Sequence, residues 1–296
     1  MNRGLIYGIL AYSLWGVLPL YWRALHTVPA TEILVNRIIW SFVFLAIILS
    51  LRRQWRWVHD LVNDRRRIGL LAASAALLAS NWFVYIWAVN AGFVVETSLG
   101  YFINPLVNVL LGVLVLHERM RLGQWIAIAV AFAGVLFLTF TIGSLPWIAL
   151  FLAFSFGFYG LIKKKSRFGS AEGLTTEMGL LLLPALAALV FFQASGQVVA
   201  LNSGFTSILL LIGSGVVTAT PLLLFAGAVQ RIPLSTMGLL QYIAPTIQFL
   251  IGIFVFNEPF TSARLIGFAI IWLALLIYSL EGAIMRRVPS APVPAD

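Results

Sequence analysis

The chain has 296 residues, of which 61% are hydrophobic and only 10% are charged. Soluble domains carry about 25% charged residues, so this composition excludes an ordinary water-soluble fold and indicates a protein solvated largely by lipid. The formal net charge is +9, but the basic residues cluster between apolar segments, which argues against a nucleic-acid partner. Because there is no cysteine, a disulfide framework and a cysteine metal site are both excluded.

Apolar segments follow one another along almost the whole chain. A membrane span needs about 20 mostly apolar residues. The first segment follows Met1-Asn2-Arg3, and its length and the lack of a small-residue cleavage site favour a retained span over a signal peptide. The pattern predicts an all-α integral membrane protein with ten transmembrane helices, followed by a disordered tail at 288–296. The predicted spans are 4–23, 32–51, 68–89, 95–115, 122–140, 146–162, 174–194, 206–228, 235–256 and 263–282.

The distribution of lysine and arginine predicts how the chain lies in the membrane. If the N-terminus is cytoplasmic, the basic clusters at 52–67 and 163–167 fall in cytoplasmic connections. The predicted outer connections hold only Arg23 and Arg264, and Arg37 lies within a span. By the positive-inside rule, both termini are therefore predicted to be cytoplasmic.

The sequence contains an internal repeat. A shift of 140 residues aligns Tyr101-Phe-Ile-Asn-Pro105 with Gln241-Tyr-Ile-Ala-Pro245, and it aligns Gly112 with Gly252 and Glu118 with Glu258. The repeats are predicted at 1–141 and 142–287. Each half holds an odd number of spans, so the second half is expected to enter the membrane inverted relative to the first. Inverted repeats around a central site are a common architecture of secondary transporters.

Several stretches of the sequence resemble the RarD family. They are AYSLWGVLPLYWRAL (11–25), PATEILVNRIIWS (29–41), SNWFVYIWAVN (80–90), ETSLGYFINPLVNVLLG (96–112) and GSLPWIALFLAFSFGFYGLIKKK (143–165). RarD proteins belong to the EamA group of the drug/metabolite transporter superfamily. The resemblance implies ten spans in two inverted five-helix repeats, a central cavity and a bacterial inner membrane. The family name carries a link to chloramphenicol sensitivity.

Arg37 and Glu96 are charged residues within the predicted span region. A charge in the bilayer costs several kcal/mol unless it has a partner or an aqueous cavity. Both residues lie near the outer ends of their helices, so we expect them to interact. Three roles for Arg37 stay open at this point: a structural tie, a gate or substrate contact, and snorkelling toward water.

Glu177 is the repeat equivalent of Arg37. In an inverted second half it is expected near the inner face, where its position close to a helix N-terminus suits an anion. One interpretation is dipole compensation near Lys163–Lys165. The other is a proton-coupling carboxylate, because a partly buried glutamate can have a raised pKa.

Polar residues in the fourth and ninth spans are candidates for a cavity wall. They are Tyr101, Asn104 and Asn108 in the first half and Gln241 and Tyr242 in the second. Pro105 and Pro245 are expected to bend these helices. The alternative is hydrogen bonding between helices without a substrate. Among the many aromatic residues, Trp15, Trp82 and Tyr85 are candidates for lining a pocket, although an interfacial or packing role is also open.

These features predict a secondary transporter that exports small organic metabolites or drugs by alternating access. A structural or receptor-like membrane protein and an intramembrane enzyme are the alternatives. Three scattered histidines and the absence of a P-loop or a nucleophile elbow argue against an enzyme and against ATP drive within the chain. We expect no cofactor and no metal, and the partners are a small organic substrate and membrane lipid. The oligomeric state stays open.

Overall fold

The structure is a computed structural model that describes residues 3–142, 146–166, 168–196, 204–257 and 262–287. All regular secondary structure within these ranges is α-helical. The predicted tail at 288–296 and Glu258 lie outside the described residues. The helices are α1 (Arg3–Ala24), α2 (Ala30–Leu51), α3 (Arg56–Val62), α4 (Arg65–Asn90), α5 (Val94–Leu116), α6 (Leu122–Ile142), α7 (Trp147–Lys165), α8 (Ser170–Ala194), α9 (Phe205–Val229), α10 (Leu234–Gln241), α11 (Ile243–Phe254) and α12 (Ser262–Arg287).

The described helices confirm the predicted class, an α-helical membrane protein with about ten spans. Nine segments of the described chain are long and apolar enough to cross a membrane, and α12 contributes a shorter apolar stretch at Leu265–Glu281. Large apolar side chains on these helices face outward, and Leu183 is 76% exposed. Such a surface is unfavourable in water and is suited to lipid.

The ninth span is divided at Tyr242, between α10 and α11. Pro245 lies in the first turn of α11 and has no backbone N–H to donate to the turn before it. The expected distortion at Pro245 is therefore present as an interruption of the helix. Pro105, at the equivalent position of the first half, lies within the continuous helix α5.

The basic residues gather at one end of the bundle, which we call the basic end. It is defined by the start of α4 at Arg65 and the end of α7 at Lys165. Contacts across this end join distant parts of the chain: the Lys164 amino group donates to the carbonyl oxygen of Ile232 at 2.5 Å, and Arg121 pairs with Glu281 at 2.6 Å.

Helices from the two halves of the sequence interleave in one bundle. Helix α5 packs on α7 and α10, α6 packs on α12, and α2 packs on α8 and α9. Helix α1 packs on α9 and α11, and α4 packs on α7 and α8. Residues of both halves therefore line the interior together, and the repeats are not separate globular units.

Glycines permit the closest helix crossings. A Cβ atom on Gly215 of α9 would lie 2.2 Å from the carbonyl carbon of Trp40 in α2. A Cβ atom on Gly238 of α10 would lie 2.4 Å from the carbonyl oxygen of Pro105 in α5. Since backbone atoms cannot move aside as a flexible side chain can, only glycine fits at these two crossings, and small residues of this kind are typical of helix contacts in membranes.

Candidate functional site: an arginine between two tryptophans

The guanidinium group of Arg37 lies over two indole rings. Its Cζ atom is 4.9 Å from the ring centroid of Trp22 in α1 and 4.6 Å from that of Trp82 in α4. The Nε atom donates a hydrogen bond to the hydroxyl oxygen of Thr218 in α9, at 3.0 Å. Both rings present their electron-rich faces to the cation, which stabilises it without neutralising its charge.

The crossing of α2 and α9 fixes the position of this guanidinium. Gly215 lets the two helices approach, and the hydroxyl of Ser41, one turn beyond Arg37, donates to the carbonyl oxygen of Gly215 at 3.1 Å. Thr218 follows Gly215 by three residues and so lies on the same side of α9. The Ser41 and Thr218 contacts together set the register of α2 against α9.

Two tyrosines adjoin the arginine. The rings of Tyr85 in α4 and Tyr101 in α5 meet edge to face with centroids 6.2 Å apart. Both side chains interact electrostatically with Arg37. Tyr101 is 37% exposed and Arg37 is half-buried, so the group keeps accessible surface. Trp82 and Tyr85, predicted as pocket residues, thus lie with Arg37 and Tyr101, and we call these four residues together with Trp22 and Thr218 the arginine site.

The predicted ion pair between Arg37 and Glu96 does not form. The described ion pairs join other residues, and the Oε2 atom of Glu96 is buried without a hydrogen-bond partner. Glu96 shares a helix face with Gly100, which packs against Ala149 of α7. Arg37 contacts α1, α4 and α9 instead. Arg37 and Glu96 were expected to interact because they lie at a similar depth in the membrane. A shared depth does not produce an ion pair here, because the two side chains point toward different neighbours.

Glu177 belongs to a second polar cluster, made by α4, α7 and α8. Its carboxylate pairs with the Lys163 amino group at 2.6 Å and accepts a hydrogen bond from the Ser74 hydroxyl, also at 2.6 Å. The Tyr159 hydroxyl donates to the other oxygen at 3.4 Å. The Glu177 side chain is 0% exposed. The predicted proximity to the lysine run is thus present as a fully buried ion pair.

The polar residues of the fourth and ninth spans meet each other in the interior. The Asn108 amide donates to the Asn104 oxygen at 3.0 Å and to the Gln241 oxygen at 2.8 Å. The Asn104 amide donates to the carbonyl oxygen of Ala153 at 2.8 Å, and the Tyr242 hydroxyl donates to a backbone carbonyl oxygen. All four side chains are buried. This arrangement favours the alternative of helix-to-helix hydrogen bonding, and in this conformation only Tyr101 of the five predicted residues is accessible.

Trp15 lies apart from the arginine site, in an aromatic cluster. Its ring centroid is 5.7 Å from both Phe156 and Phe225 and 5.5 Å from Tyr12. Phe225 in turn stacks on Tyr159, with centroids 6.0 Å apart. The cluster fills space between α1, α7 and α9, so packing accounts for Trp15 here.

Five partners of Arg37 and Glu177 were not predicted as site members: Trp22, Thr218, Ser74, Tyr159 and Lys163. Threonine and serine hydroxyls are common in membrane helices and carry no pattern that singles them out. Lys163 begins a run of three lysines typical of a span flank, and only the packing of α7 on α4 and α8 draws it inside. Glu118, which the repeat aligns with Glu258, acts across the bundle: its carboxylate accepts from the backbone N–H groups of Leu234 and Ser235 at the start of α10, at 2.7 and 2.9 Å.

Comparisons with known proteins bear on this arrangement. The EamA-like transporter family profile matches residues 2–140. Protein RarD of Streptomyces exfoliatus is 47% identical over 276 residues, covering 93% of this chain and 88% of that protein. The uncharacterized transporter YojE of Bacillus subtilis is 47% identical over 290 residues, covering 97% of this chain and 96% of that protein.

The chain belongs to the RarD family. Protein RarD of Escherichia coli agrees with this, at 43% identity over 97% of both chains. A solved crystal structure with 17% identity and a TM-score of 0.70 covers 96% of this chain and 99% of its own, which shows a shared fold. Membership in the RarD family identifies a multi-pass membrane protein of the EamA transporter group, and the arginine site lies inside its helical bundle.

Proposed function

We propose that this protein is a secondary transporter that exports small organic metabolites or drugs by alternating access, with the arginine site as part of its substrate site. The observation that carries the proposal is a cation, Arg37, held half-buried inside the bundle of a transporter-family protein, with no carboxylate of the described residues in an ion pair with it. A charge in a span is expensive and marks a substrate or ion pathway by default.

An inverted duplication supports alternating access. Gly16 closely approaches Ile247, and Gly157 closely approaches Val107, the residue 140 positions before Ile247. His117 and Asn257 are also 140 positions apart, and both have left-handed backbone angles, φ 54° and 51°. The offsets between these residues are 140 positions, or 141 for Gly16 and Gly157, and similar local geometry at nearly the same offset is the expected result of duplication; two inverted copies would permit two equivalent conformations.

The proposed orientation has both termini in the cytoplasm of a bacterium, with the protein in the inner membrane. The basic end then faces the cytoplasm, in agreement with the positive-inside rule. The arginine site lies on helices whose other ends form the basic end. Reporter fusions near residues 144 and 169 test the orientation, because they are expected to lie on opposite sides of the membrane.

Closure at the basic end would involve two polar contacts. One is the Lys163–Glu177–Ser74 cluster, and the other is the Glu118 carboxylate on the first turn of α10. We propose Glu177 as the group that couples protons to transport. When α4, α7 and α8 separate, its carboxylate loses Lys163 and becomes available to a proton from the cytoplasm.

Counterflow in proteoliposomes tests the proposed function. Vesicles of the purified protein are preloaded with a metabolite library, and uptake of labelled counterparts is measured with and without an imposed pH gradient. Concentration-dependent, saturable flux is the expected result. A complete lack of flux would favour the structural or receptor alternative, and chemical conversion of a library member would favour the enzyme alternative.

The pH gradient and Glu177→Gln separate coupling from transport. If protons are coupled through Glu177, the gradient accelerates flux of the wild-type chain but not of the Glu177→Gln variant. Flux that ignores the gradient in both proteins would remove Glu177 from a coupling role and leave the transporter proposal standing.

A further inference from the structure

The arginine site has an unbalanced charge. The groups that touch the Arg37 guanidinium are two indole faces and one hydroxyl, and its further electrostatic interactions are with Tyr85 and Tyr101, which are neutral. Over the described residues, no carboxylate lies within ion-pair distance of it. An isolated cation in a low-dielectric interior is costly, whereas the same cation with an anion at its side is far less so.

The second half of the chain provides an internal comparison. Glu177, at the position 140 residues after Arg37, has the amino group of Lys163 at 2.6 Å. Its hydroxyl partner Ser74 lies on α4, and the hydroxyl partner of Arg37, Thr218, lies on α9. Two positions at the repeat offset thus carry opposite charges and comparable hydroxyl contacts, but within the described part of the chain only the carboxylate has a counterion.

The geometry leaves the terminal nitrogens of Arg37 available. The ring centroids of Trp22 and Trp82 lie 4.9 and 4.6 Å from the guanidinium Cζ atom, and Thr218 takes the Nε hydrogen. The two Nη groups, which form the fork that binds a carboxylate through two parallel hydrogen bonds, have no acceptor among the residues that the structure describes. A carboxylate that binds both Nη groups is expected to approach along this edge of the guanidinium plane.

We infer that the substrate is an organic anion whose carboxylate binds the Nη fork of Arg37. This inference rests on the proposed transport function and specifies its substrate class. Tyr85 and Tyr101 interact electrostatically with Arg37 and hydrogen-bond each other, and the accessible ring of Tyr101 is expected to contact the apolar body of the anion. The substrate supplies the counterion that the chain omits, so the site is neutral only when it is loaded.

Matched pairs of carboxylic acids and their uncharged carboxamides test the inference. Benzoate, naphthoate and indole acetate are each paired with the corresponding amide, so that size and shape stay nearly constant while the charge changes. Counterflow is measured in vesicles of phosphatidylcholine, which has no net charge. The acids are expected to be transported roughly ten- to a hundredfold faster than their amides.

Substitutions of Arg37 test whether this residue causes the preference for acids over amides. Arg37→Gln removes the charge and the fork, and it is expected to abolish the preference for acids. Arg37→Lys keeps the charge without the fork, and it is expected to retain a weaker preference. Arg231→Gln is the control, since Arg231 also stacks on an aromatic ring, Tyr7, and donates to a backbone carbonyl oxygen, but it is exposed at the basic end. It is expected to behave like the wild type.

Stabilisation by the same compounds separates the two proposals. In detergent, acids but not amides are expected to raise the thermal unfolding midpoint of the wild-type chain, and Arg37→Gln is expected to lose this response. If acids stabilise the protein but nothing is transported, the transport function fails and the anion site stands. Equal stabilisation or equal transport by acids and amides, or no response to either, overturns the anion inference. If the wild type and Arg37→Gln differ only when phosphatidylglycerol is added, the counterion of Arg37 is a lipid headgroup, and this result would also overturn the anion inference.

Discussion

The hydroxyl of Tyr242 donates a hydrogen bond to the backbone carbonyl oxygen of Phe102 at 3.2 Å, and the two residues are 140 positions apart. That separation is the shift that aligns the two halves of the sequence. When two copies of a unit are related by a two-fold axis, residues beside the axis touch their own equivalents. The contact therefore supports an axis that passes between α5 and α10.

Asn108 and Gln241 join the same two helices. Because they share a hydrogen bond, the effects of substituting each on the free energy of unfolding are expected to be coupled. Asn108→Ala and Gln241→Ala are each expected to lower stability, and the double variant is expected to lose less than the sum. The coupling free energy is expected to be about 0.6 kcal/mol, with ~1.7 kcal/mol as an upper value for membrane proteins. A double-mutant cycle on unfolding in detergent measures it, and strict additivity would contradict the contact.

The close approach of α2 and α9 predicts that Gly215→Ala destabilises the protein. The added methyl group would collide with the backbone of Trp40, so a loss of about 1–3 kcal/mol is expected. The thermal unfolding midpoint measures the loss. Gly69→Ala is the matched control, because nothing lies within 4 Å of its Cβ position, and alanine favours the helix by up to about 1 kcal/mol. Equal effects of the two substitutions on the unfolding midpoint would contradict the close contact between α2 and α9 at Gly215.

Removing Lys163 is expected to cost much more than removing an exposed arginine. Lys163→Met leaves the Glu177 carboxylate buried without its counterion, and a loss of about 3–5 kcal/mol is typical of such changes. The double variant Lys163→Met/Glu177→Leu is expected to recover much of the loss. Arg67→Ala, which removes an exposed pair with Asp64, is expected to cost less than about 1 kcal/mol. Chemical or thermal unfolding measures all three, and a Lys163 variant as stable as the wild type would argue against a buried pair.

Glu118 is expected to hold the start of α10. Its carboxylate accepts from the N–H groups of Leu234 and Ser235 and from the Ser235 hydroxyl, groups that a helix N-terminus otherwise leaves unsatisfied. Glu118→Ala is expected to speed hydrogen exchange at these amides severalfold and to lower stability by about 1–2 kcal/mol. Arg119→Ala, an exposed neighbour, serves as the control, and unchanged exchange in the glutamate variant would refute the cap.

Alternating access predicts that fixing the basic end stops transport. The chain has no native cysteine, so a Gly4→Cys/Ile232→Cys pair can be introduced without background. The Cβ position of Gly4 lies 2.7 Å from the Ile232 side chain and 2.8 Å from the Cβ atom of Arg231. A cysteine in place of isoleucine relieves the first contact, and the second requires a small shift between α1 and the segment before α10. Oxidation is expected to abolish counterflow, and reduction is expected to restore it. The two single variants control for the substitutions, and undiminished flux in the cross-linked protein would contradict opening at this end.

Hydropathy predicted the fold well because the bilayer imposes it. A span needs a minimum apolar length and every backbone group must be bonded internally, so composition alone fixes element type and number. The predicted span 32–51 corresponds to α2 at Ala30–Leu51, and 206–228 corresponds to α9 at Phe205–Val229. The break at Tyr242 was foreseen only as a bend at Pro245, since apolar residues continue on both sides of it.

The site was predictable in its charges but not in its contacts. Arg37 and Glu177 are conspicuous because charges are rare in spans, and both proved to have polar contacts inside the bundle. Their partners depend on how each helix is rotated about its own axis, which no local pattern records. That is why the Glu96 prediction was wrong, and why Thr218 was not recognised. Asn104, Asn108 and Gln241 were identified as polar residues of the interior, but their mutual hydrogen bonds exist only once α5 and α10 are packed together.

The interruption at Tyr242 divides the ninth span into two rods held by different neighbours. Helix α10 is tied to Asn108 and Glu118, whereas α11 packs on Gly16 of α1 and receives a hydrogen bond from Trp272 of α12 at Thr246. Its counterpart α5 is one continuous helix, with Pro105 inside it. Rearrangement in the second half can thus be absorbed at one joint, while the first half must tilt as a whole. Under the proposed alternating access, the two directions of the cycle are therefore expected to meet unequal mechanical resistance.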